Sequence, residues 1–146
     1  MAGAGTVTQS IEEVTSEPKS ASDGGFTIVT FSCVGDSSGG GIPDTTTEAA
    51  ITERIKGCYL IKCHLITGTT APTADSDVYI KDADGIDLLG GSGVDALDNS
   101  ASTGIQLWPT VVTQYGRQPI TGALVLDVDG DSVASAVYSV KLIISK

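Results

Sequence analysis

The segment Gly35-Asp36-Ser37-Ser38-Gly39 has the G-x-S-x-G spacing of a nucleophile elbow, in which a sharp strand-to-helix turn lifts a serine hydroxyl into the open. That chemistry is acyl transfer, and it needs a base within hydrogen-bonding reach of the serine. Here Gly40-Gly41-Ile42-Pro43 follows in place of a helix, and the chain's one histidine, His64, is the only base available. A glycine-serine loop accounts for the segment better than a nucleophile does. Gly91-Ser92-Gly93-Val94-Asp95-Ala96 fits G-x-G-x-x-A, the dinucleotide fingerprint, but Leu97-Asp98-Asn99-Ser100 cannot open the helix whose N-terminus would meet a pyrophosphate. It too reads as a loop. A lone histidine assembles neither a catalytic triad nor a multi-histidine metal site.

Carboxylates are the remaining chemistry. Asp82, Asp84 and Asp87 surround Gly85, and Asp127, Asp129 and Asp131 surround Gly130, so each set gathers oxygen ligands of the kind calcium prefers near a tight turn. Neither set has the glycine at position six and glutamate at position twelve of an EF-hand loop. Aspartate is also favoured in turns because its side chain accepts hydrogen bonds from nearby backbone N–H groups. Solvated turns are therefore the preferred reading, with Asp82, Asp84 and Asp87 kept as weak metal-ligand candidates. No cofactor is expected.

The elements that must position these groups read as strands. From residue 134, Ala134, Ala136, Tyr138, Val140, Leu142 and Ile144 alternate with a face carrying Lys141 and three serines, a period of two. Upstream, Leu124, Leu126 and Val128 alternate likewise, and Asp129-Gly130 between the runs predicts a C-terminal hairpin. A second hairpin is predicted from Val78-Tyr79-Ile80-Lys81 through Asp82-Ala83-Asp84-Gly85 to Ile86-Asp87-Leu88-Leu89. In the run from Cys58 to Ile66, Tyr59, Ile61, Cys63 and Leu65 form an apolar face opposite Cys58, Leu60, Lys62, His64 and Ile66. Phe26 to Val34 places Val29, Phe31 and Cys33 opposite Phe26, Ile28 and Val34. One helix of about three turns is expected, with caps from Pro43-Asp44-Thr45-Thr46, an apolar stripe of Ala49, Ala50, Ile51 and Ile55, and Gly57 at its end.

The first twenty-five residues differ in kind. Val7, Ile11 and Val14 punctuate a weakly alternating strand, and residues 16–25 form a polar linker. The segment is read as an N-terminal arm and linker over 1–25, able to add a strand to a neighbouring chain, ahead of a single domain over 26–146. An ordinary first strand of the same domain fits the pattern equally. Trp108, before Pro109, is assigned to the core or to an interface.

At 146 residues the chain suits one domain, and 40% hydrophobic residues support a folded core. A net charge of −10 opposes binding to a phosphate backbone, so nucleic acid is not an expected partner. The opening residues lack a secretory pattern and no run is apolar enough to span a bilayer, so a soluble protein made in a cytoplasm is expected. Cys33, Cys58 and Cys63 are odd in number and match no zinc spacing, which favours reduced thiols. Cys58 and Cys63 would face opposite sides of a regular strand, so a bridge between them would break the pleat. The class expected is mainly β: an antiparallel β-sandwich, Ig-like or jelly-roll-like, with one short α-helix and the N-terminal arm.

Three blocks carry a resemblance. They are Ile51 with Ile55-Lys56-Gly57-Cys58-Tyr59-Leu60; Thr70-Ala71-Pro72-Thr73-Ala74 with Asp77 through Gly91; and Ile120-Thr121-Gly122-Ala123-Leu124-Val125-Leu126-Asp127-Val128. With the C-terminal strand they are spread over about two-thirds of the chain and make up about a third of its residues. In these blocks the chain resembles a family of small virion structural proteins of tailed bacteriophages. The resemblance implies a non-enzymatic, cofactor-free role in the virion, assembled in the host cytoplasm. The major capsid protein or other virion proteins would be partners, and a homo-oligomer, with a trimer favoured, would suit the capsid lattice. A head decoration (cement) protein is the reading preferred, with Val7, Ile11, Val14 and Trp108 as interface residues. The alternatives are a neck, tail or fibre component, or a carbohydrate-binding β-sandwich module.

Overall fold

The computed structural model describes residues 5–14 and 25–146. Its strands are β1 (Thr6–Val14), β2 (Phe26–Val34), β3 (Thr45–Thr46), β4 (Tyr59–Thr67), β5 (Asp77–Lys81), β6 (Gly104–Leu107), β7 (Thr110–Val111), β8 (Gln114–Tyr115), β9 (Gln118–Pro119), β10 (Val125–Asp129) and β11 (Val137–Ser145); helix α1 is Ala49–Ile55. The larger sheet has the order β1-β2-β11-β4-β6, with β9 sharing the β4 edge beside β6. The smaller sheet is β3-β10-β5, and β7 and β8 form a separate hairpin. All these pairings are antiparallel.

One apolar cluster joins the two sheets. Val29, Phe31 and Cys33 of β2, Tyr138, Val140, Leu142 and Ile144 of β11, and Leu60, Cys63 and Leu65 of β4 meet Val78, Ile80, Leu126 and Val128 of the smaller sheet. Ile51 and Ile55 of α1 close one side. This is the sandwich that the period-two patterns require, since each sheet can bury only one face against the other.

Four expectations change. Asp129-Gly130 does not close a hairpin: β10 pairs β3 and β5, whereas β11 pairs β2 and β4. The chain crosses between layers here, because β11 buries its apolar face best as the central strand of the larger sheet. In the second predicted hairpin the turn forms but the return limb does not; Lys81 and Asp87 make an isolated bridge. Buried Leu88 and Leu89 are directed into the core instead. Strand β4 does not keep one phase, for Ile143 faces Lys62 and Ile144 faces Leu60, so Ile61 is an extra residue. That bulge buries Leu60 together with Cys63 and Leu65, and it leaves Tyr59 and Ile61 only half-buried. Helix α1 has seven residues, fewer than expected, and no side chain caps its first turn. Thr45 and Thr46 are drawn into β3 beside β10, while the Thr47 and Thr52 hydroxyls bond each other at 2.7 Å.

Strand β1 pairs β2 from Thr6↔Val34 to Val14↔Phe26, so it is the edge strand of the body. This departs from a free arm over 1–25 and agrees with an ordinary first strand. The Gln9 side chain anchors it, donating to the Thr46 carbonyl at 2.8 Å and accepting from the Glu48 N–H at 2.9 Å, and Glu13 pairs with Arg54. The linker residues 15–24 lie outside the described residues.

Candidate functional site

The sequence motifs dissolve into turn chemistry. Asp82 Oδ1 accepts the N–H groups of Asp84 and Ile86, each at 2.9 Å. Asp87 Oδ1 accepts those of Ile80 and Leu89, each at 3.1 Å, and its Oδ2 accepts that of Gly91 at 2.9 Å. These oxygens are turned toward backbone donors. Asp131 Oδ1 likewise binds the Thr73 and Val133 N–H groups. No group of three or more His, Cys, Asp or Glu side chains that could hold a metal gathers among the described residues.

Ser37 sits in the exposed turn after β2, where Asp36 Oδ1 accepts the Ser38 N–H at 2.8 Å. His64 lies in the middle of β4, facing Lys141 on one side and Gln106 on the other. The elbow and the base are thus built on different features. In the fingerprint-like loop, the Gly93 carbonyl accepts the Val78 N–H at 2.8 Å, and a Cβ on Gly93 would fall 1.9 Å from the Val78 carbonyl oxygen. The glycine there lets the loop lie against β5. Among the described residues no helix is long and apolar enough to cross a membrane.

The thiols are core atoms. Cys33, Cys58 and Cys63 are free and buried. Burial pushes the Cys33 thiol up to about 12, and the Cys63 thiol is raised by burial and then by the Asp87 charge. The Tyr138 hydroxyl, raised by burial first, has no hydrogen-bond partner.

What remains is a surface. Cross-strand register assigns the outward side chains of the larger sheet in rows, because directly opposed residues share a face. One row is Ser10, Thr30, Lys141, His64 and Gln106; the next is Glu12, Ile28, Ile143 and Lys62. Toward the start of β2, Val14 faces Phe26, Phe26 faces Ser145 and Ser145 faces Tyr59. Trp108, which follows buried Leu107, extends the Lys62 row, with Lys62 Nζ 5.3 Å from its ring centre. Arg117 lies 4.3 Å from the ring centre of Tyr59.

Trp108 is 43% exposed and Phe26 50%, so neither is a core residue. Of the interface residues expected, Val7 and Ile11 instead pack inward on the body's own core, Val14 is on the open face and Trp108 stands at its rim. Lys62, Lys141, Phe26 and Tyr59 were missed as a group, because β4 and β11 are brought together only by the fold. Lys141 and Lys62 also act on His64: burial first, then these two charges, hold its imidazole below the usual range.

Beyond the rim, the β7-β8 hairpin exposes Val111, Val112 and Tyr115, with Val112 92% exposed. Val112 has φ of 59°, at a position that two-residue hairpin turns usually give to glycine. A β-branched residue is strained there.

No family model, curated protein or solved structure matches the chain.

Proposed function

We propose that this chain is a non-enzymatic structural protein of a tailed-phage virion, and that it decorates the capsid shell as a cement protein bound through its sheet face. The observation that carries the reading is the outer face of the larger sheet, which leaves Phe26, Val14 and Trp108 exposed on the same side as Lys62 and Lys141. Exposed aromatic side chains on a hydrogen-bonded sheet suit a protein-binding surface, and the two lysines beside them favour a partner of negative charge.

The blocks behind the resemblance support the same reading. They include Ile51 and Ile55 of α1, the Asp82–Asp87 turn, and β5 and β10, two of the three strands of the smaller sheet. Repetition on a symmetric shell would let a modest single contact hold durably.

The test is the copy number of this chain relative to the major shell protein in purified particles, by quantitative mass spectrometry. A ratio near one to one supports shell decoration. A few dozen copies or fewer would move the protein to the neck, tail or fibres, and absence from particles would overturn the virion reading.

A further inference from the structure

We propose that Lys81 and Asp127 join through an isopeptide bond formed within the folded chain, with Asp44 handling the proton. The reaction is a self-modification that occurs once per chain, and it goes beyond the virion reading without resting on it.

Three ion pairs form among the described residues, and two of them, Arg54 with Glu13 and Lys56 with Glu53, are exposed on both sides. The third is different. Lys81 Nζ donates to Asp127 Oδ2 at 2.6 Å, and the Asp127 side chain is only 12% exposed. A nitrogen that close to one carboxyl oxygen stands one bond from the carboxyl carbon, and near-attack separations are about 3–3.5 Å. Tyr79, directly opposite Asp127 in the sheet, holds its ring centre 5.1 Å from the same nitrogen. A primary amine and a carboxyl carbon are thereby held together where little water reaches the carboxyl.

Asp44 completes the set. Strand β3 pairs β10 with Thr45 opposite Leu126, and one step further along that antiparallel register Asp44 comes opposite Asp127. Asp44, Asp127 and Tyr79 thus form one row across the smaller sheet. Partial burial first, then the charge and hydrogen bond of Asp127, hold the Asp44 carboxyl above the usual range, so it takes up a proton more readily than a free aspartate. The Asp127 hydrogen bond first, opposed by desolvation, holds the Lys81 amine above its usual range, so the pair starts as ammonium and carboxylate.

The step balances without an added reagent. One proton passes from the Lys81 ammonium to Asp127, and the neutral nitrogen attacks Asp127 Cγ. Asp44 takes a second proton from that nitrogen and delivers it to the oxygen that leaves. The new C–N bond stays, one C–O bond breaks, and ammonium plus carboxylate have become an amide and one water. Free in water the two groups seldom meet in this geometry, whereas fixing them in contact is worth effective molarities of about 10⁵–10⁸ M. The product ties β5 to β10 through residues 46 apart in sequence, in a chain whose three cysteines are free. Such a link constrains the unfolded chain as a disulfide does.

Intact mass spectrometry of the purified protein reads the bond directly. The expected mass is below that of the sequence by one water, about 18 Da, with a branched peptide joining Lys81 to Asp127 in the digest. Lys81→Arg keeps the charge without a usable nucleophile, and it should return the full mass. Asp44→Asn keeps the ion pair and should slow bond formation by on the order of 100-fold, so freshly made protein stays largely at full mass. Its Tm should then lie roughly 5–10 °C below that of the linked parent. Circular dichroism checks that each variant is folded.

A folded parent at its full sequence mass would overturn the proposal. So would a loss of water that survives Lys81→Arg, since Asp84-Gly85 and Asp129-Gly130 can each lose one by closing to a succinimide. Bond formation in Asp44→Asn as fast as in the parent would overturn the role given to Asp44.

Discussion

Gly93→Ala should be among the most destabilising single-methyl additions in this protein. A Cβ at Gly93 would lie 1.9 Å from the Val78 carbonyl oxygen and 3.2 Å from Leu89 Cδ1, and the first of these is backbone that cannot rotate away. To reach an allowed separation the loop must leave β5 by at least about 1 Å in a close-packed interior. The Val78 N–H to Gly93 carbonyl bond, 2.8 Å long, is then stretched or lost at a buried strand. Overpacking contributes about 1–3 kcal/mol and an unsatisfied buried donor about 1–3 kcal/mol, so a loss of roughly 3–5 kcal/mol is expected. At a few degrees per kcal/mol for a chain of this size, Tm should fall by roughly 10–15 °C.

Two controls separate the causes. Gly91 has φ of +87° with open space around its Cβ position, so Gly91→Ala should cost only about 1–2 kcal/mol of backbone strain. Gly122 has neither positive φ nor a neighbour within 4 Å, so Gly122→Ala should be neutral or stabilising by up to about 1 kcal/mol. The assay is urea unfolding of the three variants and the parent. Equal stability of the Gly93 and Gly122 variants would refute the packing argument and reopen a ligand-cradling role for the loop.

Asp87→Ala removes a carboxylate that accepts three backbone N–H groups, and it should cost about 1.5–3 kcal/mol in urea unfolding, with no recovery on adding calcium; a calcium-dependent rise in the parent's Tm would contradict this. Cys33 gives a pH dependence whose sign follows from burial: above 9.0 the unfolded thiol ionises while the folded thiol keeps its proton to about 12. Stability should therefore fall as pH rises across that window, and Cys33→Ala should flatten the slope between urea midpoints at pH 8 and pH 10. His64 has a lowered folded value, so it favours unfolding as pH falls through the usual 6.5, where the unfolded chain binds the proton first. Lys141→Gln should raise the His64 titration midpoint measured by NMR, and an unmoved midpoint would show that Lys141 does not act on it.

Strand β11 was legible with its inward face because its side chains alternate between apolar and polar, whereas β2 was legible as a strand only, since Phe26, Ile28 and Val34 make its second face apolar too. Residues 124–128 read correctly as a strand and wrongly as the partner of β11. Alternation says which face is buried and nothing of which layer receives it. In β4 the phase slip at Ile61 was invisible because both faces are apolar there, so either register buries enough surface until β11 selects one.

The candidate site was less legible than the fold. Lys62, Trp108 and Lys141 lie far apart along the chain, and each alone is an ordinary surface residue. Only pairing of β11 with β4, and of β4 with β6, sets them side by side. Asp82 and Asp87 could be read as turn acceptors beforehand because the donors they meet include their immediate chain neighbours.

By itself, then, the sequence determined the local properties: a β-rich chain with one short helix, the strand over 26–34, the inward face of β11, acidic turns and thiols without a pairing pattern. These follow from short-range sterics and period-two burial, which a few neighbouring residues decide. The tertiary structure alone decided the crossing of layers between β10 and β11, the place of β1 as an edge strand of the body and the bulge at Ile61. It also decided the gathering of Lys62, Lys141 and Trp108 on one face of the larger sheet. Those depend on contacts between residues distant in sequence, where the burial gained by one pairing is weighed against every other pairing open to the same strand.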